Sequence, residues 1–221
     1  MTDDRGLKMR LRLTGSILAS LLTAMCLSGT PTFAQTIVDE WATVKAPPPP
    51  ELKSVTIQNV KETAFLVLDI VKQGCNFQRR PRCVPSVPKI QKFLEEARAK
   101  GMPVIHSRTS QSTAADILPE VAPRPDEPLV ASSADKFVGT DLERILKEKG
   151  IKTVIVVGTA AHGAVLYTAT GSAYRGFKVI VPVDGMSSEN TYFEQYVAYQ
   201  LANGPGLAQA VTLTKFDLIR Y

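Results

Sequence analysis

Short apolar runs that each end in an acid, a glycine or a histidine constrain this chain more than any other feature. Ala64–Leu68 closes on Asp69, Met102–Ile105 on His106, Thr153–Val157 on Gly158 and Phe177–Val183 on Asp184. Such runs are strands buried on both faces, which requires helices on each side of a parallel sheet. The stretches between them supply those helices. Residues 86–100 place Ile90, Phe93, Leu94 and Ala97 on one stripe and stop at Gly101. Thr140 and Glu143 are spaced as a capping box that opens a helix running to Gly150. Residues 163–175 form a small-residue helix closed by Gly176, and 188–202 a helix that turns Tyr192, Phe193, Tyr196, Val197 and Leu201 inward. A last strand covers 210–216, and 110–129 is an irregular excursion. The alternation predicts a doubly wound α/β fold, a mostly parallel sheet with helices on both faces.

In such sheets the ligand crevice lies beyond the C-terminal strand ends. Asp69, the turn 158–162 and Asp184 fall there, and so do both histidines of the chain, His106 and His162. An acid at a strand end with apolar neighbours has its pKa raised by desolvation, which suits it to donate a proton to a leaving oxygen. The alternative for Asp69 is a carboxylate that accepts backbone N–H bonds from the next turn. His106 and His162 read as acid/base partners of Asp69 or as polar residues satisfied by backbone carbonyls. A metal held by Asp69, His106 and His162 is the lesser alternative, because the set carries no short-range spacing signature. No other cofactor is expected. The turn 158–163 lacks both the Lys-Ser/Thr ending of a phosphate loop and the three-glycine dinucleotide spacing. It retains backbone N–H groups at a helix N-terminus, a cradle for a carboxylate or oxyanion.

Residues 1–34 read as a signal peptide. Lys8, Arg10 and Arg12 precede an apolar stretch from Leu13 to Leu27, and Thr32-Phe33-Ala34 places small residues for cleavage before Gln35. The protein is expected in the periplasm or outside the cell, with no membrane contact after cleavage, since the apolar run is short for a span. Residues 35–51, with Trp41 and Pro47–Pro50, form a Pro-rich arm, and 52–221 a single domain. Four basic and two acidic side chains leave with the leader, so +3 of the chain's net +5 remains. No basic-aromatic weave accompanies it, which argues against a nucleic-acid partner. Arg79, Arg80 and Arg82 read either as a solvated loop or as an anion-attracting rim. Cys75 and Cys83 remain as an even pair in an oxidising compartment, so a Cys75–Cys83 disulfide is expected. Closing so short a loop stabilises by about 2.5 kcal/mol in the chain-entropy model.

Phe65-Leu66-Val67-Leu68-Asp69, Phe137-Val138-Gly139-Thr140-Asp141-Leu142, Val154-Ile155-Val156-Val157-Gly158, Thr168-Ala169, Arg175-Gly176-Phe177 and Val183-Asp184 follow one another in an order that resembles the isochorismatase-like hydrolase family. The resemblance implies a six-stranded parallel sheet and a homo-oligomer. It also implies a catalytic Asp, Lys and Cys: the thiolate attacks a carbonyl, the Asp accepts the thiol proton and the Lys balances the charges. Backbone donors at a turn carrying a cis peptide stabilise the oxyanion. The Asp matches Asp69. The Cys position falls on Ala164 and the Lys position on Ala131. Lys136, beside Phe137, either swings its ammonium into the vacated place or is an exposed loop lysine. A methyl group performs no covalent chemistry, so thiol-based hydrolysis is not expected.

Two functions compete. The first is a non-cysteine hydrolase of a small carboxylate, amide or enol ether, with Asp69 as acid/base beside His106, His162 and Lys136. The turn of Gly158, Ala160, Ala161, Gly163 and Ala164 then holds the substrate's anion. Isochorismatase-type relatives act on an enol ether, where the acid matters most. The second is a binding protein in which His106, Arg108 and His162 hold a small anionic ligand and no bond is broken. The retained Asp69 favours the enzyme, and the two alanines favour the binder.

Overall fold

The computed structural model describes residues 36–221, so the signal peptide read over 1–34 lies outside the described residues. Residues 36–46 form a separate unit with a turn at 37–43 and an exposed Trp41. The compact unit runs from Pro47 to Tyr221 and takes in the proline run. In chain order it contains β1 (Val55–Thr56), β2 (Thr63–Leu68), α1 (Val87–Ala99), β3 (Val104–Thr109), β4 (Leu129–Ser132), α2 (Leu142–Glu148) and β5 (Thr153–Thr159). It continues with α3 (Leu166–Tyr174), β6 (Lys178–Pro182), β7 (Met186–Ser187), α4 (Thr191–Asn203), β8 (Val211–Thr214) and β9 (Ile219–Arg220). No helix among the described residues is long and apolar enough to cross a membrane.

The main sheet is parallel, in the order β4-β3-β2-β5-β6-β8. It has seven strands and not six, because β7 pairs with the last two residues of β5. A separate two-residue parallel ladder joins β1 to β9. The chain starts mid-sheet, adds β3 and β4 to one side, and returns to lay β5 on the other side of β2. The strand order therefore reverses between β2 and β5, and a crevice opens there at the strand C-termini.

Every residue of β2 is buried because its two faces meet two cores. Ala64, Leu66 and Leu68 pack with Val154 and Val156 against Leu142, Leu146, Leu166 and Leu201 of the helices on one side. Phe65 and Val67 pack with Ile155 and Val157 against Ile90, Phe93 and Leu94 of α1 on the other. Each such side chain contributes about 1.5–3 kcal/mol, so neither face tolerates a polar residue. That is why the strand reads as an unbroken apolar run.

Three local expectations are corrected. The capping box does not form: Asp141 takes the N-cap position of α2 without a side-chain bond, the Thr140 hydroxyl accepts from Leu142 N–H and donates to the Lys136 carbonyl, and Glu143 turns outward to Lys147 and Arg175. The helix after β5 does not start directly as α-helix, since residues Ala161–Val165 make a wider π turn before α3. On α4, Val197, Ala198 and Leu201 face inward while Tyr192 and Tyr196 point to solvent. The tyrosines recur at the same helical spacing as the small apolar residues, and the helix buries the stripe that fits against close-packed neighbours. The excursion at 110–129 is irregular as expected, with short 3-10 turns at Ala114–Asp116 and Pro119–Val121.

Gly158 fixes how β2 and β5 end. It pairs with Leu68, stands at φ 128°, and a Cβ there would lie 2.0 Å from the Leu68 carbonyl oxygen. Only glycine fits so close an approach in that conformation. Gly158→Ala is expected to cost at least about 2 kcal/mol, read as a lowered urea midpoint with an unchanged m-value.

Candidate active site

Because Leu68 and Gly158 are paired, the residues that follow them meet across the switch point. Asp69 takes a left-handed backbone, φ 53°, which asparagine and aspartate reach more readily than other side chains. Its Oδ2 lies 2.7 Å from Nζ of Lys136, and its Oδ1 accepts a hydrogen bond from Ser107 Oγ at 2.7 Å. Lys136 is fully buried, and its ammonium also donates to the carbonyls of Ser132 and Ser133. It is therefore no exposed loop lysine. Ala131 sits in β4 paired with Arg108, and the loop after that strand delivers Lys136 to the acid instead. Burial pushes the Asp69 carboxyl above its usual range, and Lys136 and Ser107 offset only part of that rise.

On the facing side the Thr159–Ala160 peptide is cis, and the Ala160 carbonyl accepts from the N–H groups of Gly163 and Val165 at 3.0 and 3.3 Å. Ala160, Gly163 and Ala164 line a cavity of about 500 Å³ with Asp69 at its wall. Gly158 and the fully buried Ala161 lie behind that surface. The remaining wall includes Arg79, Arg80, Gln73 and Gln111. Cys75 and Cys83 are joined by the expected disulfide, and the two arginines lie inside the loop it closes.

The histidines do not join Asp69 as expected. Neighbouring strand residues point to opposite faces, so with Ser107 turned to Asp69, His106 goes to the α1 side. There its Nε2 lies 2.9 Å from Glu127 Oε2, and Glu127 also receives Nε and Nη2 of Arg98 at 2.8 and 2.7 Å. The trio Asp69, His106 and His162 is thus not assembled, and among the described residues no group of three or more His, Cys, Asp or Glu is placed to hold a metal ion. His162 is not in the cavity lining and turns to α4 and the residues before it, with Nδ1 2.5 Å from Ser188 Oγ and its ring stacked on Phe193 at 4.2 Å. Arg108, expected to hold an anion, instead donates to the carbonyls of Thr109 and Ser112 and braces that loop. Asp184 caps the turn at Phe216 and pairs with Lys89, away from Asp69. Ser107 is the site residue that the sequence did not single out, and of the basic cluster at 79–82, read as a solvated loop or an anion-attracting rim, Arg79 and Arg80 line the cavity. The alternation of His106 with Ser107 is the one signal that only one of them faces the acid.

Glu127 carries a testable consequence. Burial raises its pKa, but the bonds from His106, Arg98 and the Arg124 N–H outweigh that and hold it well below the usual carboxylate range. A depressed folded-state pKa contributes stability that is complete above the unfolded value, near 4.3, and is lost as pH falls below it. Glu127→Gln is expected to cost about 2 kcal/mol at neutral pH, and the gap from the wild type should shrink as denaturation midpoints are taken below pH 4.

The isochorismatase domain family matches residues 63–214. The secreted isochorismatase effector Isc1 of Verticillium dahliae is 32% identical over 116 residues, which cover 48% of this chain and 61% of that protein. N-carbamoylsarcosine amidase of an Arthrobacter species is 27% identical over 145 residues, covering 53% of this chain and 55% of it. The chain thus spans less than two thirds of either relative. The crystal structure of an isochorismatase-like hydrolase from Alkaliphilus metalliredigens superposes with a TM-score of 0.64 at 26% identity, covering 71% of this chain and 95% of that one.

Proposed function

We propose that this chain, which belongs to the isochorismatase family, is an exported hydrolase that works without a cysteine, by acid catalysis from Asp69 on a small substrate. The observation that carries the reading is the buried Asp69 carboxyl, bonded by Lys136 and Ser107, at the wall of a cavity where the nucleophile's place is a methyl group. Export is supported by the disulfide and by the secreted fungal relative.

An enol ether suits this arrangement better than an amide, because its hydrolysis begins with a proton and not with a nucleophile. Burial raises the Asp69 pKa, and in its protonated form the acid donates its proton to the terminal enol carbon. The C=C pair forms the new C–H bond and the ether oxygen stabilises the cation left behind. Water adds to that cation and returns a proton to the Asp69 carboxylate. The resulting hemiketal releases the alcohol and leaves a ketone. Lys136 stabilises the carboxylate while it is ionised, and the turn at 160–164, whose Gly163 N–H is taken by the Ala160 carbonyl, offers its other backbone N–H groups to the substrate's anionic oxygens. The Ala164 methyl supplies room and no chemistry, which is also the observation that favours the competing reading of a binding protein.

Turnover on a panel of enol ethers and amides is the test, with Asp69→Asn beside the wild type. Wild-type turnover is expected to fall about 10²–10⁴-fold in the variant, and no turnover in either protein would establish the binding reading. The pH profile gives an independent check. Since the acid must be protonated, kcat/KM should fall as pH rises through the Asp69 pKa. Lys136→Met removes a charge that lowers that pKa, so the fall should move to higher pH; a profile that stays in place or moves down would sink Asp69 as the acid.

A further inference from the structure

We infer that Arg80 is the anion anchor of the Asp69 cavity, selecting small carboxylates, and that the Cys75–Cys83 disulfide holds it in position. The inference rests on reading this cavity as the substrate site, and it adds the charge the substrate must carry and the side chain that meets it.

Arg80 is only 14% exposed, whereas the neighbouring Arg79 lies open on the same wall. Its Nε donates to Glu189 Oε1 at 2.7 Å, and among the described residues that is the one hydrogen bond its side chain makes. A guanidinium has five N–H donors in a rigid fork, so the terminal nitrogens keep their capacity. Nη1 lies against Gly74, where a Cβ would come within 3.1 Å of it, and both residues line the cavity. A guanidinium held at Nε by one carboxylate keeps its terminal nitrogens for another, a fork that fits a second carboxylate bidentately.

The charge balance of the cavity agrees. Lys136 is paired with Asp69 and Glu189 with Arg80, so Arg79 leaves the wall with a net positive charge that draws anions inward.

The loop is built to hold this side chain still. The Arg80 N–H donates to the Asn76 carbonyl and its own carbonyl accepts from Cys83 N–H, both at 2.9 Å. Next to it Arg82 forks onto Glu194 at 2.9 and 2.6 Å, tying the loop to α4. The disulfide closes the nine residues around these contacts. Reducing it returns conformational freedom to the segment that carries Arg80.

The test titrates benzoate and pyruvate, with benzamide and pyruvamide as neutral counterparts, into the oxidised full chain by isothermal calorimetry at low and high salt. At least one acid is expected to bind about tenfold or more tightly than its amide, more so at low salt. Arg80→Gln should abolish that preference, Arg80→Lys should restore part of it, and Asp69→Asn should keep it. Thermal melts of the variants separate lost binding from lost folding. Equal binding of acid and amide, no binding of either acid, or a wild-type preference in folded Arg80→Gln overturns the anchor. Unchanged affinity after reduction overturns the part given to the disulfide. If the anchor fails while Asp69→Asn still abolishes turnover, the hydrolase reading stands without it; if carboxylates bind through Arg80 and nothing is turned over, it is the hydrolase reading that falls.

Discussion

The ion pair between Asp69 and Lys136 is the interaction on which the rest of the site depends. An ammonium and a carboxylate 2.7 Å apart and largely buried lose several kcal/mol of hydration each when both are ionised, which only a fully satisfied geometry offsets. Here it is satisfied: the ammonium has Asp69 and the carbonyls of Ser132 and Ser133, and the carboxyl's other oxygen has Ser107. The pair also has a mechanical effect. It ties the end of β2 to the loop after β4 across β3, so three strand ends are set in register by one contact.

Why the acid sits at the cavity wall and not in the core follows from the reversal of strand order. Strands β2 and β5 are neighbours in the sheet but lie far apart along the chain, and the loops that leave them diverge. Their last paired residues, Leu68 and Gly158, are pressed so closely that no side chain fits at 158. Beyond that point the acid and the cis-peptide turn line one cavity. Lys136 thus reaches the acid from a chain position other than Ala131, the one the resemblance gives to a lysine, and Ala164 brings a methyl group to the cavity. A buried acid with a lysine beside it and a methyl group across the cavity supports the proposed proton-transfer chemistry over covalent chemistry.

The fold was legible in the sequence because it rests on local and repetitive signals. Apolar runs broken by glycine-stopped helices arise from burial on both sheet faces, and each run can be read without knowing its neighbours. The candidate site was legible in part. Asp69 and the turn after β5 follow from strand ends alone, and the cysteine pair from compartment and count. Lys136 was ambiguous, since its place depends on the path of a loop and not on its distance along the chain from Phe137. Both histidines appeared to share a rim with Asp69, yet the left-handed turn at Asp69 directs the acid toward Ser107, which leaves His106 on the far face with Glu127. The α4 tyrosines and the Thr140 capping box misled for a related reason: spacing identifies a stripe or a motif, and competing contacts decide whether it is used.

By itself the sequence determined the layered α/β architecture, the acid at the first core strand's end, the glycine-led turn opposite it and the alanine at position 164. These are properties of residue identity and short-range periodicity, which the chain carries before it folds. Tertiary structure alone decided which lysine meets the acid, that Ser107 and not His106 faces it, and that Arg80 lines the cavity while Arg108 braces a loop. Those outcomes depend on strand register, on backbone direction at single residues and on loop closure across large sequence separations. Such quantities are set only when distant segments compete for the same space.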